Sequence, residues 1–384
     1  MTVHLPPPPA TPQSEIETRL AATQAALVAE GIDILLGYAD CWRTANVRYF
    51  TDFRPVDGVH GIAQALIMIP AAGSPVLFAG DGCVDYARSE TLFEVAELGT
   101  VSARLAEAAR HAERVVLAGE AQIPVGLHRE LDAAVGHLTL ESTELLASLK
   151  ASKSAWEVQQ LRAAAQLTDL AMQAVHDLVR SPRTVTERDL AVAADLAMIT
   201  AGADTPAYLS MVQAGPRSAF SLALPTNREL RTGDLVLTDI GARYGNYVAD
   251  GGRGFVYGPA SERVREIVET AADAVEAGLA AARPGMTASA LNSVIQQVLV
   301  DRGYAQFSGE AMGRGTGHGT GMDPEEELPW IGPTNHQVIA PGSVFTLKAT
   351  INVPEVGGLR TERIVHLSHD GLETLDHFEM RNYW

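Results

Sequence analysis

Two pairs of helices, each followed by strand-forming segments, divide residues 150–384 into matching halves, and this order restricts the fold more than any other feature of the chain. Ser154 stands three residues before Glu157, the spacing of a capping box in which side chain and backbone satisfy each other's donors. The helix that starts there carries Trp156, Leu161, Ala165, Leu167, Leu170 and Ala171 at helical spacing. A second helix runs from about Glu187 to Ala201 before Gly202, a third from about Ser261 to Ala282, stopped by Pro284-Gly285, and a fourth from about Ala288 to Arg302 before Gly303; glycine and proline are the expected stops. The order reads as a duplication at the level of structure, without a sequence repeat to accompany it.

Ahead of this half the pattern changes. Residues 1–13 contain four consecutive prolines and read as a disordered lead-in, because proline neither continues a helix nor donates to a central strand. Residues 14–149 alternate helical stretches (Glu15–Glu30, Val101–His111) with short β-like runs at Ile34–Leu36, Ala63–Ile69, Pro75–Ala79 and Arg114–Leu117, the signature of an α/β layer. A boundary near Lys150–Ser154 leaves residues 150–384 as the second domain. Two cores suit the 384 residues, which exceed what one ordinary core holds. Two cysteines, Cys41 and Cys83, are too few for a disulfide framework or a thiolate metal site. The excess of 47 acidic over 29 basic residues, a net charge of -18, makes nucleic acid and anionic membrane unfavourable partners and favours a small or cationic substrate. No apolar run is long enough to span a bilayer and the start lacks a targeting pattern, so the expected location is the cytoplasm.

The chemistry-bearing residues lie in three segments of the second domain. In LVLTDIGARYGNYVADGGRGF two strands are expected to meet at a turn around Tyr244-Gly245-Asn246, which sets Asp239 and Asp250 symmetrically about it and, by strand alternation, on one face if the loop has an even number of residues. Two surface acids in water are the alternative, and the flanking Leu235, Leu237, Ile240 and Val248 weigh against it. In GRGTGHGTG the glycines lack the lysine that a phosphate loop requires and instead let a backbone or a ligand approach His318 closely. The last hairpin, turning at Pro354–Gly358, carries Lys348 on its first strand and Arg360 and Glu362 on one face of its second, where a cross-strand salt bridge is the simplest reading.

Taken together, these residues resemble the pita-bread family, which contains methionine aminopeptidases, Xaa-Pro aminopeptidases, prolidases and creatinases. The order matches: an Asp, ten residues, an Asp followed by G-G-R, then GHGTG, PGSVFT and G-L-R-T-E. The entry helix SKSAWEVQQLRAAAQLTDLAM and the two-domain length are similar to the Xaa-Pro aminopeptidase and creatinase branch. The resemblance implies an α+β fold, with a C-terminal pita-bread domain of duplicated helix pairs and a curved antiparallel sheet behind an N-terminal α/β creatinase-like domain. It implies further that Asp239, Asp250, His318 and Glu362 fill four of the five metal-ligand places, and that the protein is a homodimer in which Arg54 and His60 reach the neighbouring site. Three places depart from the family pattern: Lys348 stands where the glutamate of T-I-E-P is expected, Glu325 where a second histidine is, and Leu222 where a histidine of the segment GPRSAFSLALPTNREL is.

Charge then limits the cofactor. At ~5 Å and an effective dielectric of ~20 each like-charge pair costs roughly 3 kcal/mol, so Asp239, Asp250 and Glu362 do not all stay ionised without cations. With Lys348 protonated, one divalent ion suffices, oxygen-rich ligation favouring Mn or Fe over Zn or Co; a metal-free site is the alternative. The reading that follows is hydrolysis of an amide, imide or amidine C–N bond in a small amino-acid-like or proline-peptide-like substrate. His318, Glu325 and Lys348 are the candidate catalytic residues, and Arg360, Tyr247 and Leu222 the candidate substrate contacts. Glu325 belongs to a run of three acids, for which a solvated loop is the plainer account. An Xaa-Pro aminopeptidase or prolidase proper, a lyase and a non-catalytic binding protein are the alternative functions.

Overall fold

The computed structural model describes residues 4–56, 63–80, 82–220 and 222–383. The chain divides into two compact units, Pro9–Lys150 and Ala151–Trp384, the latter joined by Met1–Pro8.

In the first unit six strands form one mixed sheet: β1 (Ile34–Asp40), β2 (Gln64–Pro70), β3 (Val76–Ala79), β4 (Glu94–Glu97), β5 (Val115–Ala118) and β6 (Leu140–Ser142). Their order is β4-β3-β2-β1-β5-β6, with β1 antiparallel to β2 and parallel to β5. The central strand β1 is buried on both faces, and Leu36, Leu66, Phe78, Leu105, Val115, Leu117 and Leu131 share its core; a continuous apolar run is what a doubly covered strand requires.

The second unit carries the two helix pairs, Ala155–Val179 with Glu187–Thr200 and Glu262–Ala281 with Ala288–Asp301. Each of the four starts on a hydroxyl N-cap. Ser154 and Thr186 both close capping boxes, with Glu157 and Asp189, while Ser261 and Thr287 accept from Val264 N and Ala290 N. A hydroxyl cap satisfies a donor that the first turn otherwise leaves open. Eleven further strands follow: β7 (Thr205–Pro206), β8 (Met211–Ala214), β9 (Leu235–Ile240), β10 (Ala242–Tyr244), β11 (Tyr247–Val248), β12 (Gly251–Val256), β13 (Gly317–Gly319), β14 (Glu326–Ile331), β15 (Ser343–Val353), β16 (Gly357–Ser368) and β17 (Gly371–Thr374). They build sheets in the orders β11-β10-β7, β12-β9-β8 and β14-β13-β15-β16-β17. The second helix pair and the long β15–β16 hairpin bury one core through Ile267, Val275, Leu291, Ile295, Phe345, Leu347 and Ile351.

Two expectations change here. Residues 4–8, expected as part of a disordered lead-in, are tied down: Leu5 N–H donates to Ala201 O at 2.8 Å, Tyr244 OH donates to Pro6 O at 3.2 Å and His4 Nδ1 lies 2.9 Å from Thr200 O. Proline forbids a ladder but leaves its carbonyls free to accept. The hairpin expected around Asp239 and Asp250 is two nested hairpins, β9 with β12 and β10 with β11, separated at Gly241, where a Cβ would lie 2.0 Å from Ala249 O. Only glycine allows that approach.

Candidate metal and active site

Asp239 is the penultimate residue of β9, Asp250 precedes β12 and Glu362 lies in the middle of β16. All three are buried, and one carboxylate oxygen from each lies within 4.8 Å of the others. Glu362 reaches the aspartates from a different sheet because the register partner of Asp239 is Gly252. A Cβ on Gly252 would come within 3.1 Å of Glu362 Cδ and 2.9 Å of Arg360 Cγ, so the missing side chain is the space in which β16 delivers its charges.

The surrounding groups leave only part of this cluster open. Tyr208 OH lies 2.6 Å from Asp239 Oδ1 and 2.5 Å from Asp250 Oδ1, donating its one proton to one of them at a time. Arg360 Nη1 donates to Asp239 Oδ2. Lys348, the register partner of Glu362, places Nζ 3.8 Å from Glu362 Oε1, too long for a hydrogen bond and short enough for an ion pair. Both oxygens of Glu362 are buried without a hydrogen-bond partner among the described residues.

His318 sits on β13, whose glycines serve the backbone rather than a ligand: Cβ atoms on Gly317 and Gly319 would meet Thr346 O at 2.0 Å and Leu328 O at 2.1 Å. Its Nδ1 lies 3.0 Å from Gly319 O, and a carbonyl only accepts, which assigns the ring proton to Nδ1. Nε2 then presents its lone pair to Asp250 Oδ2 at 3.3 Å. Burial, and then the Lys348 charge, push His318 well below the ordinary imidazole range, so a proton on Asp250 or a cation must separate the two lone pairs. Burial, and then Glu362 and Asp239, hold the Asp250 carboxyl well above the usual aspartate range. Burial raises Glu362 also, with Lys348 and Arg360 pulling it back.

These shifts have a sign. A raised carboxyl pKa removes stability as pH rises from the unfolded toward the folded value, whereas a depressed histidine adds it until the unfolded imidazole is neutral. The raised carboxyl and the depressed imidazole oppose each other from the unfolded aspartate value of ~4 upward. Between ~pH 4 and ~pH 7 the metal-free protein is therefore expected to gain less thermal stability with rising pH than an Asp250→Asn variant, in which that carboxyl no longer acts. Melting temperatures of the two across that range check this, and parallel slopes would contradict it.

The three clustered carboxylates of Asp239, Asp250 and Glu362 suit a divalent ion. Both oxygens of Glu362 are open, His318 Nε2 lies beside Asp250 Oδ2, and Tyr208 and Arg360 hold Asp239.

Not every expected site residue arrives here. Tyr247 is fully buried and donates to Glu157 Oε1 at 2.9 Å, with its ring 5.7 Å from that of Trp156, so it braces the start of the first helix. Glu325 is exposed and is not one of the three carboxylates of the cluster. Its neighbour Glu326, within the supposedly solvated acidic run, is buried and 2.8 Å from Lys153 Nζ. Leu222 is 47% exposed after the 3-10 turn Gly215–Phe220, where it does not join the cluster. Arg360, expected as a substrate contact, is committed to Asp239. Arg54 lines a cavity of about 300 Å³ with Trp42, Val56 and Tyr86 in the first unit, and His60 lies outside the described residues. Tyr208 was not legible in the sequence, because no local pattern links TPAYLS to the aspartates.

Residues 159–369 match the family described as Metallopeptidase family M24. Among curated relatives the chain is 31% identical over 233 residues to the Xaa-Pro dipeptidase of Pyrococcus furiosus, covering 60% of this chain and 65% of that one, just under two thirds of the relative's length. Solved structures similar in fold include the dipeptidase PepE of Mycobacterium ulcerans, with a TM-score of 0.85, 24% identity and 98% and 99% of the two chains covered. The prolidase of Pyrococcus horikoshii superposes with a TM-score of 0.82 and 23% identity, over 94% of this chain and 99% of that one. This likeness gives the two-domain architecture with its C-terminal pita-bread domain. Among the described residues no helix is long and apolar enough to cross a membrane.

Proposed function

The chain belongs to metallopeptidase family M24, a family of hydrolases, and from that premise we propose that it is a metal-dependent hydrolase of a C–N bond in a small amino-acid-like or proline-peptide-like substrate. The observation that carries this reading is the pair of open, buried oxygens on Glu362 beside Asp250 and the Nε2 of a neutral His318. Asp250, Glu362 and His318 would hold one divalent ion, with Asp239 completing the cluster. The oxygen-rich set favours Mn or Fe, with Zn or Co as substitutes. Such an ion supplies Lewis acidity to a carbonyl in a site shielded from bulk water.

The side chains divide the remaining work. Lys348, 3.8 Å from Glu362, supplies the positive charge that a second ion would bring, and its ammonium is placed to stabilise negative charge developing on a substrate oxygen. His318 Nε2 is an acceptor in a neutral ring and can take a proton. Tyr208 and Arg360 hold Asp239 and Asp250 in orientation and so preserve the spacing of the donors. Two identical chains are the proposed assembly.

The names of the relatives favour one narrower reading, an Xaa-Pro dipeptidase proper. Both readings are tested by offering the metal-supplemented protein a panel of Xaa-Pro dipeptides and small amides in oxygen-18 water. One ion per chain and solvent oxygen in the product carboxylate are expected. Two ions per chain would remove the assignment of Lys348, and product without solvent oxygen would remove hydrolysis.

A further inference from the structure

Residues 375–383 belong to no helix or strand apart from an isolated bridge at Asn382, so their backbone groups depend on side chains from elsewhere. Two side chains meet much of that need. Asp169, on the first helix of the second unit (Ala155–Val179), accepts from His377 N–H at 2.7 Å and from Phe378 N–H at 3.0 Å. Arg253, on β12, donates to Phe378 O at 3.1 Å and to Glu379 O at 3.2 Å. The segment is therefore a strap clamped between a helix and a strand.

The same guanidinium reaches the carboxylate cluster from behind. Its Nη1 donates to Gly252 O at 2.8 Å and to the carbonyl of Glu362. Gly252 is the register partner of Asp239, and Glu362 brings the third carboxylate. β12 and β16 lie in different sheets, so no ladder among the described residues fixes the distance between them at this level. Two arginines tie them instead, Arg360 inside the cluster through Asp239 and Arg253 outside it through main-chain oxygens. A planar guanidinium with fixed donor directions suits such a spacer, and it is only as steady as the strap on its far side.

Asp169 stands where it does at a cost. Burial, and then Asp376, hold its carboxyl above the usual aspartate range, and its hydrogen bonds among the described residues come from the strap.

We propose that Asp169 is a positioning residue of the metal site: by holding residues 377 and 378 it steadies Arg253, and Arg253 sets the separation of Glu362 from the two aspartates. The inference deepens the hydrolase reading and rests on the cluster being a metal site. Asp169 acts through the strap and not on the ion.

The test is a calorimetric titration of the full-length, metal-free protein with Mn2+. Groups that orient the ligands of a metal are worth about 10–100-fold in affinity, and Asp169→Ala, which acts through the strap, is expected to weaken Mn2+ binding by about ten-fold. Asp169→Asn keeps one accepting oxygen for the two N–H groups and should fall between, about three-fold weaker than wild type. Thr287→Ala removes the N-cap of the fourth helix and so lowers stability away from the strap; it should melt below wild type yet bind Mn2+ as tightly. Wild-type affinity in Asp169→Ala, or in Asp169→Asn should the alanine variant not fold, overturns the proposal and leaves the hydrolase reading intact. An equal weakening in Thr287→Ala overturns it too, because the effect is then one of stability alone. A wild type that takes up no Mn2+ removes the proposal, and if Fe, Zn and Co are refused as well the metal-dependent reading falls with it.

Discussion

Replacing Glu362 with glutamine is expected to lower kcat/KM by roughly a thousand-fold or more, because a bound metal ion contributes several kcal/mol of transition-state stabilisation and each ~1.4 kcal/mol is a factor of ten. Glu362 supplies two of the open oxygens in the cluster, and no other carboxylate on β16 can replace it. The neutral amide keeps the volume but offers a single oxygen without charge. It also leaves Lys348 and Arg360 facing a cluster with one fewer negative charge, which disfavours a further cation. Elemental analysis should therefore find the variant depleted of metal while its circular dichroism stays unchanged. A variant that retained stoichiometric metal and near-normal turnover would show that the cluster is not the active site.

The largest effect on stability is expected at Arg253. Its guanidinium is buried and donates to Gly252 O at 2.8 Å and to the carbonyl of Glu362, to Phe378 O at 3.1 Å and to Asp376 Oδ2. One side chain thus joins β12, β16 and the C-terminal segment directly behind the cluster. Arg253→Met removes one partner of a buried ion pair, a change that costs about 3–5 kcal/mol in comparable settings, and it leaves carbonyls in the interior without donors. Asp376 keeps Arg363 Nη1 at 2.9 Å and Ile364 N at 2.7 Å, which limits the loss to the lower part of that range. Denaturant unfolding of wild type and variant measures it, and a difference below ~1 kcal/mol would mean that the network is redundant.

The readable and unreadable parts of the site separate along a physical line. The helices announce themselves because a cap and its donor lie within three residues of each other, as with Ser154 and Glu157. Candidate ligands were recognisable because aspartate, histidine and glutamate in that order carry their chemistry in their identity. Failures came where direction decides. Glu326, the first residue of β14, turns inward to Lys153, whereas Glu325, in the bend before that strand, faces solvent. Tyr247 lies three residues from Asp250, but in the inner of two nested hairpins, and that places its hydroxyl on Glu157. Arg360 was expected to meet substrate and instead meets Asp239, 121 residues away in the chain, a pairing no local pattern encodes.

From the sequence alone came the two helix pairs, their caps, the strands between them and the set of ionisable groups available for chemistry, because each depends on neighbours a few residues apart. Only the tertiary structure decided which carboxylates share a site, that Gly252 opens the gap through which β16 brings Glu362 to Asp239, and that Tyr208 stands beside the two aspartates. Those outcomes depend on register and on packing between sheets, where a shift of one residue turns every side chain to the opposite face.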